Sequence, residues 1–397
     1  MSSMKKITFM LLVTALLIVW FMPCAIAAPG GVMVGKPFYI SGQGDRRPDG
    51  TYPDTYPERV RQCMENIRAN LKKSGLDMEN IVKTFVYLDD IDKFPEMNKV
   101  YRTYFKKDPP ARTTLSVDWI PGGSQIEITC IAYSDLSGKK AVGGEGAFNL
   151  PFSVGIVAGK TLYLAGQGDH LPDGSRPEKF EDQARQCMYW VEQGLKAAGL
   201  DWRHVVWSTI FMDKVAYENQ GIFNKVYSEY FEYGNEPARA NVFVAGLPVE
   251  SHIEVTCFAT TDLSLRKVVR PKSMRDGPDG KAPTASPGVW LGDTLYLSEQ
   301  IGTLPTKGLI ANGLEAQTHL MMDNHLEVLR EAGLRFDNLV SGNVYLLDGN
   351  DYQAFNKIYF PYFNPYLGVR TCLQPNSGYL ESIERVKTHF IFAREKK

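Results

Sequence analysis

The strongest constraint on what this chain can become is a threefold internal repeat. Phe38-Tyr39-Ile40-Ser41-Gly42-Gln43 returns as Leu162-Tyr163-Leu164-Ala165-Gly166-Gln167 and, more loosely, as Leu295-Tyr296-Leu297-Ser298-Glu299-Gln300. Met97-Asn98-Lys99-Val100-Tyr101 returns as Phe223-Asn224-Lys225-Val226-Tyr227 and as Phe355-Asn356-Lys357-Ile358-Tyr359, and each copy is followed by an arginine: Arg112, Arg239 and Arg370. The period of about 128 residues is far above that of a solenoid, so each copy is a whole domain. The expected layout is 28–136, 149–264 and 283–397. Ser137 to Phe148, rich in Gly and Lys, and Leu265 to Pro287, rich in Pro and Gly, read as exposed linkers. The basic residues of the second, Arg266, Lys267, Arg270, Lys272 and Arg275, read as a solvated run rather than an anion site.

Within one copy the periodicities are legible. Phe38 to Ser41 and Ile81 to Leu88 are rich in branched and aromatic residues, as strands are. Between them Val60, Cys63, Met64, Ile67 and Leu71 recur at helical spacing, with Gly75 placed as a C-terminal cap. Phe94, Met97, Val100, Tyr101 and Tyr104 predict a second helix. From Gln125 to Ile131 the alternation puts Ile126, Ile128 and Cys130 on one face and Gln125, Glu127 and Thr129 on the other. Each unit is therefore expected to be α+β, a sheet with two helices on one face.

Residues 1–27 are set apart. Lys5 and Lys6 precede an apolar run from Ile7 to Met22, and Ala25-Ile26-Ala27 supplies a small-x-small cleavage pattern. The run is shorter than the roughly 20 residues a spanning helix needs, so a signal peptide cleaved near Ala27 is expected, with a secreted or periplasmic product and no membrane contact afterwards. Lys+Arg number 44 against 45 Asp+Glu, a net charge of −1 that excludes the basic excess of a nucleic-acid binder.

Taken together, Ile40-Ser41-Gly42-Gln43, Asn98-Lys99-Val100-Tyr101, Pro110-Ala111-Arg112-Thr113 and Ile126-Glu127-Ile128 resemble the RidA/YjgF family of enamine/imine deaminases, and the second copy repeats the set. The resemblance implies a chorismate-mutase-like fold. It also implies ligand clefts between neighbouring units and, with three units in one chain, a monomeric intramolecular pseudo-trimer. Arg112 and Arg239 are then the expected carboxylate grips for a small 2-imino or 2-enamino acid, because a guanidinium makes two parallel hydrogen bonds to a carboxylate. Glu127 and Glu254, each 15 residues further on, are the expected water-activating bases. Ser41, Gly42, Ala165 and Gly166 would line the cleft with Thr114, Asn241 and the aromatic Phe152.

Departures from the family pattern are concentrated in unit three. Glu299 stands where the cleft glycine belongs, Lys387 aligns with the glutamate, and Arg370 is expected to be satisfied by Glu299, although Cys372 carries the thiol that active members have two residues after the arginine. The third unit therefore reads as degenerate and its Arg370 cleft as silent. No cofactor is implied, and His170, His204 and His252 lack metal-ligand spacing. Cys63 and Cys187 on the first helix match Cys130 and Cys257 on the last strand, a pattern open to Cys63–Cys130 and Cys187–Cys257 disulfides or to four buried thiols. Two function classes stay open: hydrolytic deamination, and non-enzymatic binding of carboxylate metabolites by a scaffold of the same fold.

Overall fold

A computed structural model describes residues 30–145, 151–274, 284–305, 307–378 and 383–395. The candidate signal segment 1–27 lies outside them. In unit one the strands lie in the order Gly31–Met33, Pro37–Gly44, Ile126–Tyr133, Ile81–Leu88, Ala111–Ser116. Ile81–Leu88 runs antiparallel to Ile126–Tyr133 and parallel to Ala111–Ser116. Helix Tyr56–Lys73 starts with a proline in its first turn and buries Val60, Cys63, Met64, Ile67 and Leu71. It ends at Gly75, whose φ of +73° is a conformation glycine adopts without steric cost. This helix and Phe94–Tyr101 cover one face of the sheet, packing on Ile126, Ile128 and Cys130. Units two and three repeat the arrangement with helices Phe180–Ala197 and Gln220–Ser228, and Leu314–Ala332 and Tyr352–Tyr359.

Every residue of Ile81–Leu88 is buried, which a sheet with one wet face would not produce. The second face is covered by the other units. Tyr39, Phe85, Tyr87 and Ile131 of unit one join Tyr163, Trp207, Phe211 and Phe258 of unit two and Val289, Tyr296, Tyr345 and Ile391 of unit three in a single apolar cluster. Trp207 touches Phe85, Phe258 and Tyr296 and so meets side chains of all three units. Backbone hydrogen bonds join the units in a ring. Gly166 N–H donates to Arg112 O at 2.9 Å, Glu299 N–H to Arg239 O at 2.9 Å, and Gln374 N–H to Trp119 O at 3.1 Å.

Both expected linkers are partly strand. Lys140–Glu145 pairs with Ser153–Ala158, and Arg266–Val269 with Gly288–Leu291, so each covers the exposed edge of the next unit's first strand. The basic run is not simply solvated. Arg266 donates to Val205 O and Asn235 O, and Arg270 binds Glu236 at 2.7 Å, so both tie the connection to unit two. The disulfides are absent as well: Cys63, Cys130, Cys187 and Cys257 are free buried thiols. Cys63 Sγ donates to Gln43 O and Cys187 Sγ to Gln167 O, so each helix thiol secures the strand that carries the cleft glycine.

Candidate active site

The three arginines sit at matching places, each on the strand parallel to its unit's central one, and each guanidinium lies over the tyrosine of the Asn-Lys-Val/Ile-Tyr helix. The distances from guanidinium carbon to ring centre are 4.9 Å for Arg112 over Tyr101, 4.3 Å for Arg239 over Tyr227 and 5.3 Å for Arg370 over Tyr359. The asparagine of the same motif supplies a second restraint. Asn224 Oδ1 accepts from Arg239 at 2.6 Å and Asn356 Oδ1 from Arg370 at 2.7 Å. In the sequence these asparagines and tyrosines stand out as repeat markers, but not as the holders of the arginine.

The carboxylates come from a different unit than the sequence spacing implies. Arg112 does not face Glu127, nor Arg239 Glu254. Arg112 and Glu254 share one cleft, between units one and two. Arg370 and Glu127 share another, between units three and one, where the hydroxyls of Thr371 and Thr129 also hydrogen-bond. The reason lies in the ring: the arginine strand is at the outer edge of its own sheet and meets the next unit's glycine strand. Each cleft therefore takes its arginine from one unit and the residues at the glycine and glutamate positions from the next.

In the Arg112 cleft the arginine is 2% exposed and its guanidinium is enclosed by Phe94, Tyr101 and Phe152, the last 4.7 Å away and contributed by unit two. Burial lowers its pKa to about 10. Arg112 Nη2, Thr114 Oγ1 and Asn98 Oδ1 are buried without hydrogen-bond partners, three unmet polar atoms in one cleft. Such groups are costly unless a ligand or water satisfies them. Opposite stands Glu254, which accepts from the Thr114 N–H; burial pushes its carboxyl up to about 7, while Lys83 and Arg112 draw it down. Lys83, wholly buried, donates to Thr113 Oγ1, Leu164 O and Thr256 Oγ1 at 2.7–2.8 Å and so bridges the strands that build this cleft. Its own pKa falls to about 7 through burial.

The Arg370 cleft holds Cys372, Gly42 and Glu127. Burial pushes the Glu127 carboxyl up to about 8 against the Arg370 charge, and pushes the Cys372 thiol up to about 12. Ser41 is buried here, its hydroxyl accepting from Gln43. In unit two Ala165 occupies the corresponding place and donates its N–H to Val154 O.

Glu299 is not beside Arg370. It lies in the third cleft, between units two and three, where the Asn241 N–H and Nδ2 donate to its carboxylate at 3.1 and 3.2 Å. It thus takes the backbone donor that serves Glu254 in the first cleft. Lys387 Nζ is 3.7 Å from Glu299, and Arg239 is held by Asn241 and Asn224. The altered cleft is therefore the one built on Arg239, while the Arg370 cleft keeps its arginine, thiol, glycine and glutamate. His170, His204 and His252 each lie beside an aspartate, Asp169, Asp201 and Asp213 respectively. No cluster of three metal-ligating side chains occurs among the described residues.

The family pattern described as Endoribonuclease L-PSP matches residues 28–134, 146–261 and 279–377, and the chain belongs to that family. Over 113 residues it is 40% identical to the 2-iminobutanoate/2-iminopropanoate deaminase of Rattus norvegicus, a match covering 28% of this chain and 82% of that protein. The Homo sapiens protein of the same name is 39% identical over 103 residues, covering 25% and 75%. A crystal structure of a chorismatase, only 10% identical, superposes with a TM-score of 0.59 over 91% of this chain and 99% of that one, a likeness of fold.

Proposed function

We propose that this protein hydrolyses small 2-imino acids, or their enamine tautomers, to 2-keto acids and ammonia in the Arg112–Glu254 and Arg370–Glu127 clefts. The observation that carries the reading is that each cleft brings together a buried arginine and a buried glutamate from neighbouring units. Arginine and glutamate act on one another electrostatically with no direct ion pair between them among the described residues, and in the first cleft Arg112 Nη2, Thr114 Oγ1 and Asn98 Oδ1 are left for a ligand to satisfy. The arginine holds the carboxylate through paired hydrogen bonds. The ionised glutamate takes a proton from water as its oxygen attacks C2 and passes that proton to nitrogen; the carbinolamine hydroxyl then gives up its proton, which the carboxylate relays to nitrogen as the C–N bond breaks, leaving keto acid and ammonia. A carboxyl with a pKa near 7 or 8 suits both proton transfers at neutral pH.

The deaminase names of the relatives above support the same chemistry. The ring of contacts supports a monomeric pseudo-trimer whose clefts are all complete within one chain, to be checked by light scattering at one chain mass. Residues 1–27, read as a signal peptide, support a reaction in the periplasm or outside the cell. The decisive measurement is ammonia and 2-keto acid release from freshly generated 2-iminopropanoate. Acceleration above the buffer rate is expected, and its absence at micromolar protein would overturn the proposal.

A further inference from the structure

The two clefts that pair arginine with glutamate differ at one position of the helix that holds the arginine. Phe94 and Tyr352 are the first residues of helices Phe94–Tyr101 and Tyr352–Tyr359, one turn before the motif asparagines Asn98 and Asn356. Their rings sit alike, centred 5.4 Å from the Arg112 guanidinium carbon and 5.6 Å from that of Arg370. The tyrosine alone carries a hydroxyl, which accepts from Arg370 Nη2 at 3.2 Å, while Asn356 Oδ1 accepts from Nη1 at 2.7 Å. Trp119 of unit one packs edge-on against the Tyr352 ring at 5.5 Å and holds it at the seam between the units. Around Arg112 both partners are missing. Nη2 is buried without an acceptor, Asn98 Oδ1 is buried without a donor, and Nη1 meets the Met97 sulfur at 4.0 Å.

A buried donor with no acceptor carries a desolvation cost that a ligand's oxygen removes, whereas a donor already served gains little from a second acceptor. Carboxylate binding therefore relieves a penalty at Arg112 and finds none to relieve at Arg370. We propose that Phe94 and Tyr352 set the carboxylate affinities of their clefts, making the Arg112 cleft the tight site and the Arg370 cleft the weak one. The chain then works over a wider range of substrate concentration than identical clefts would. The inference deepens the functional reading above, since it takes both clefts as carboxylate sites, but binding without turnover suffices to test it.

The test is an NMR titration of the full-length protein with pyruvate, the 2-keto acid that 2-iminopropanoate would yield. Wild type is expected to show two binding phases about tenfold apart in Kd. Arg370→Ala keeps the tight phase and Arg112→Ala the weak one. Phe94→Tyr in the first background should weaken binding about tenfold, and Tyr352→Phe in the second should tighten it by roughly the same factor. If either arginine variant fails to fold, the same two conservative exchanges in the wild-type chain decide, one removing the tight phase and the other the weak one. In hydrolysis assays they should move KM and leave kcat within about twofold. Binding in the expected order without ammonia release would overturn the deaminase reading and leave this one standing. Equal affinities in the two single-cleft proteins, the reverse order, no pyruvate binding, or affinities unmoved by the two exchanges would overturn the proposal.

Discussion

The Glu254 carboxylate lies over Gly166 so closely that a β-carbon built on that glycine falls 1.7 Å from Glu254 Oε1. Gly42 stands in the same relation to Glu127, at 1.9 Å. The glycine thus makes space for the carboxylate of its own unit. Since the obstructed atom ends a flexible side chain, Gly166→Ala should fold and displace the carboxylate. A displacement of about 1 Å costs on the order of a hundredfold in rate. In an Arg370→Ala background, where only the first cleft reports, Gly166→Ala is expected to lower kcat/KM for 2-iminopropanoate by about that factor, with the melting temperature nearly unchanged.

Removing the arginines separates the clefts. Loss of a buried carboxylate contact costs roughly 2–5 kcal/mol. Arg112→Ala and Arg370→Ala are each expected to leave about half of the turnover per chain and the double variant almost none, whereas Arg239→Ala should stay within about twofold of wild type. Steady-state rates, with folding followed by circular dichroism, decide the matter. Full activity in the double variant would remove both sites.

The raised carboxyl pKa values give a pH signature with a definite sign. The base must be ionised, so the rate rises with pH. The Arg112→Ala protein, working through Glu127 at about 8, should have its acidic limb about one pH unit above that of Arg370→Ala, working through Glu254 at about 7. Stability runs the other way. A carboxyl whose folded pKa lies above its unfolded value of 4.5 contributes stability below about pH 4.5, and this is lost as pH rises through about 8. Glu127→Gln keeps a neutral side chain throughout. It is expected to be more stable than wild type at pH 8.5 by about 1–4 kcal/mol, since each tenfold change in proton affinity between the folded and unfolded chain is worth roughly 1.4 kcal/mol. Denaturant titrations should also show it unfolding with a flatter pH dependence.

The altered cleft can be converted. Glu299→Gly with Lys387→Glu recreates in unit three the glycine and glutamate of units one and two. The double variant should raise kcat per chain to about one and a half times wild type, because three clefts then work instead of two. An unchanged kcat in a folded double variant would show that Asn241, hydrogen-bonded to Arg239 at 2.7 Å, is a further obstacle in that cleft.

The repeat, the helices and the face of the strand that carries Glu127 are legible in the sequence because each follows from periodicity along one stretch of chain. The pairing of Arg112 with Glu254 and of Arg370 with Glu127 is not, because it depends on which sheet edge meets which neighbour. Spacing along the sequence carries no information about that. Glu299 stands out as a replacement for glycine, but order along the chain assigns its effect to the arginine of its own unit, whereas the ring of contacts delivers it to Arg239. The strands Lys140–Glu145 and Arg266–Val269 are hidden because the glycines and charges of those segments mask short edge pairings. Matched positions alone do not assign the thiols, because a cysteine that donates to a neighbouring carbonyl keeps the same register as one that is bridged.

The covalent linkage of the three units has a consequence for descent. In a ring of identical subunits a glycine-to-glutamate change appears in every cleft at once, and a lineage carrying it loses all of them together. Here the exchange at Glu299 and Lys387 touches one cleft and spares the two built on Gly42 and Gly166. One chain can thus keep two clefts as inherited while a single copy changes, a divergence that symmetry would have forbidden.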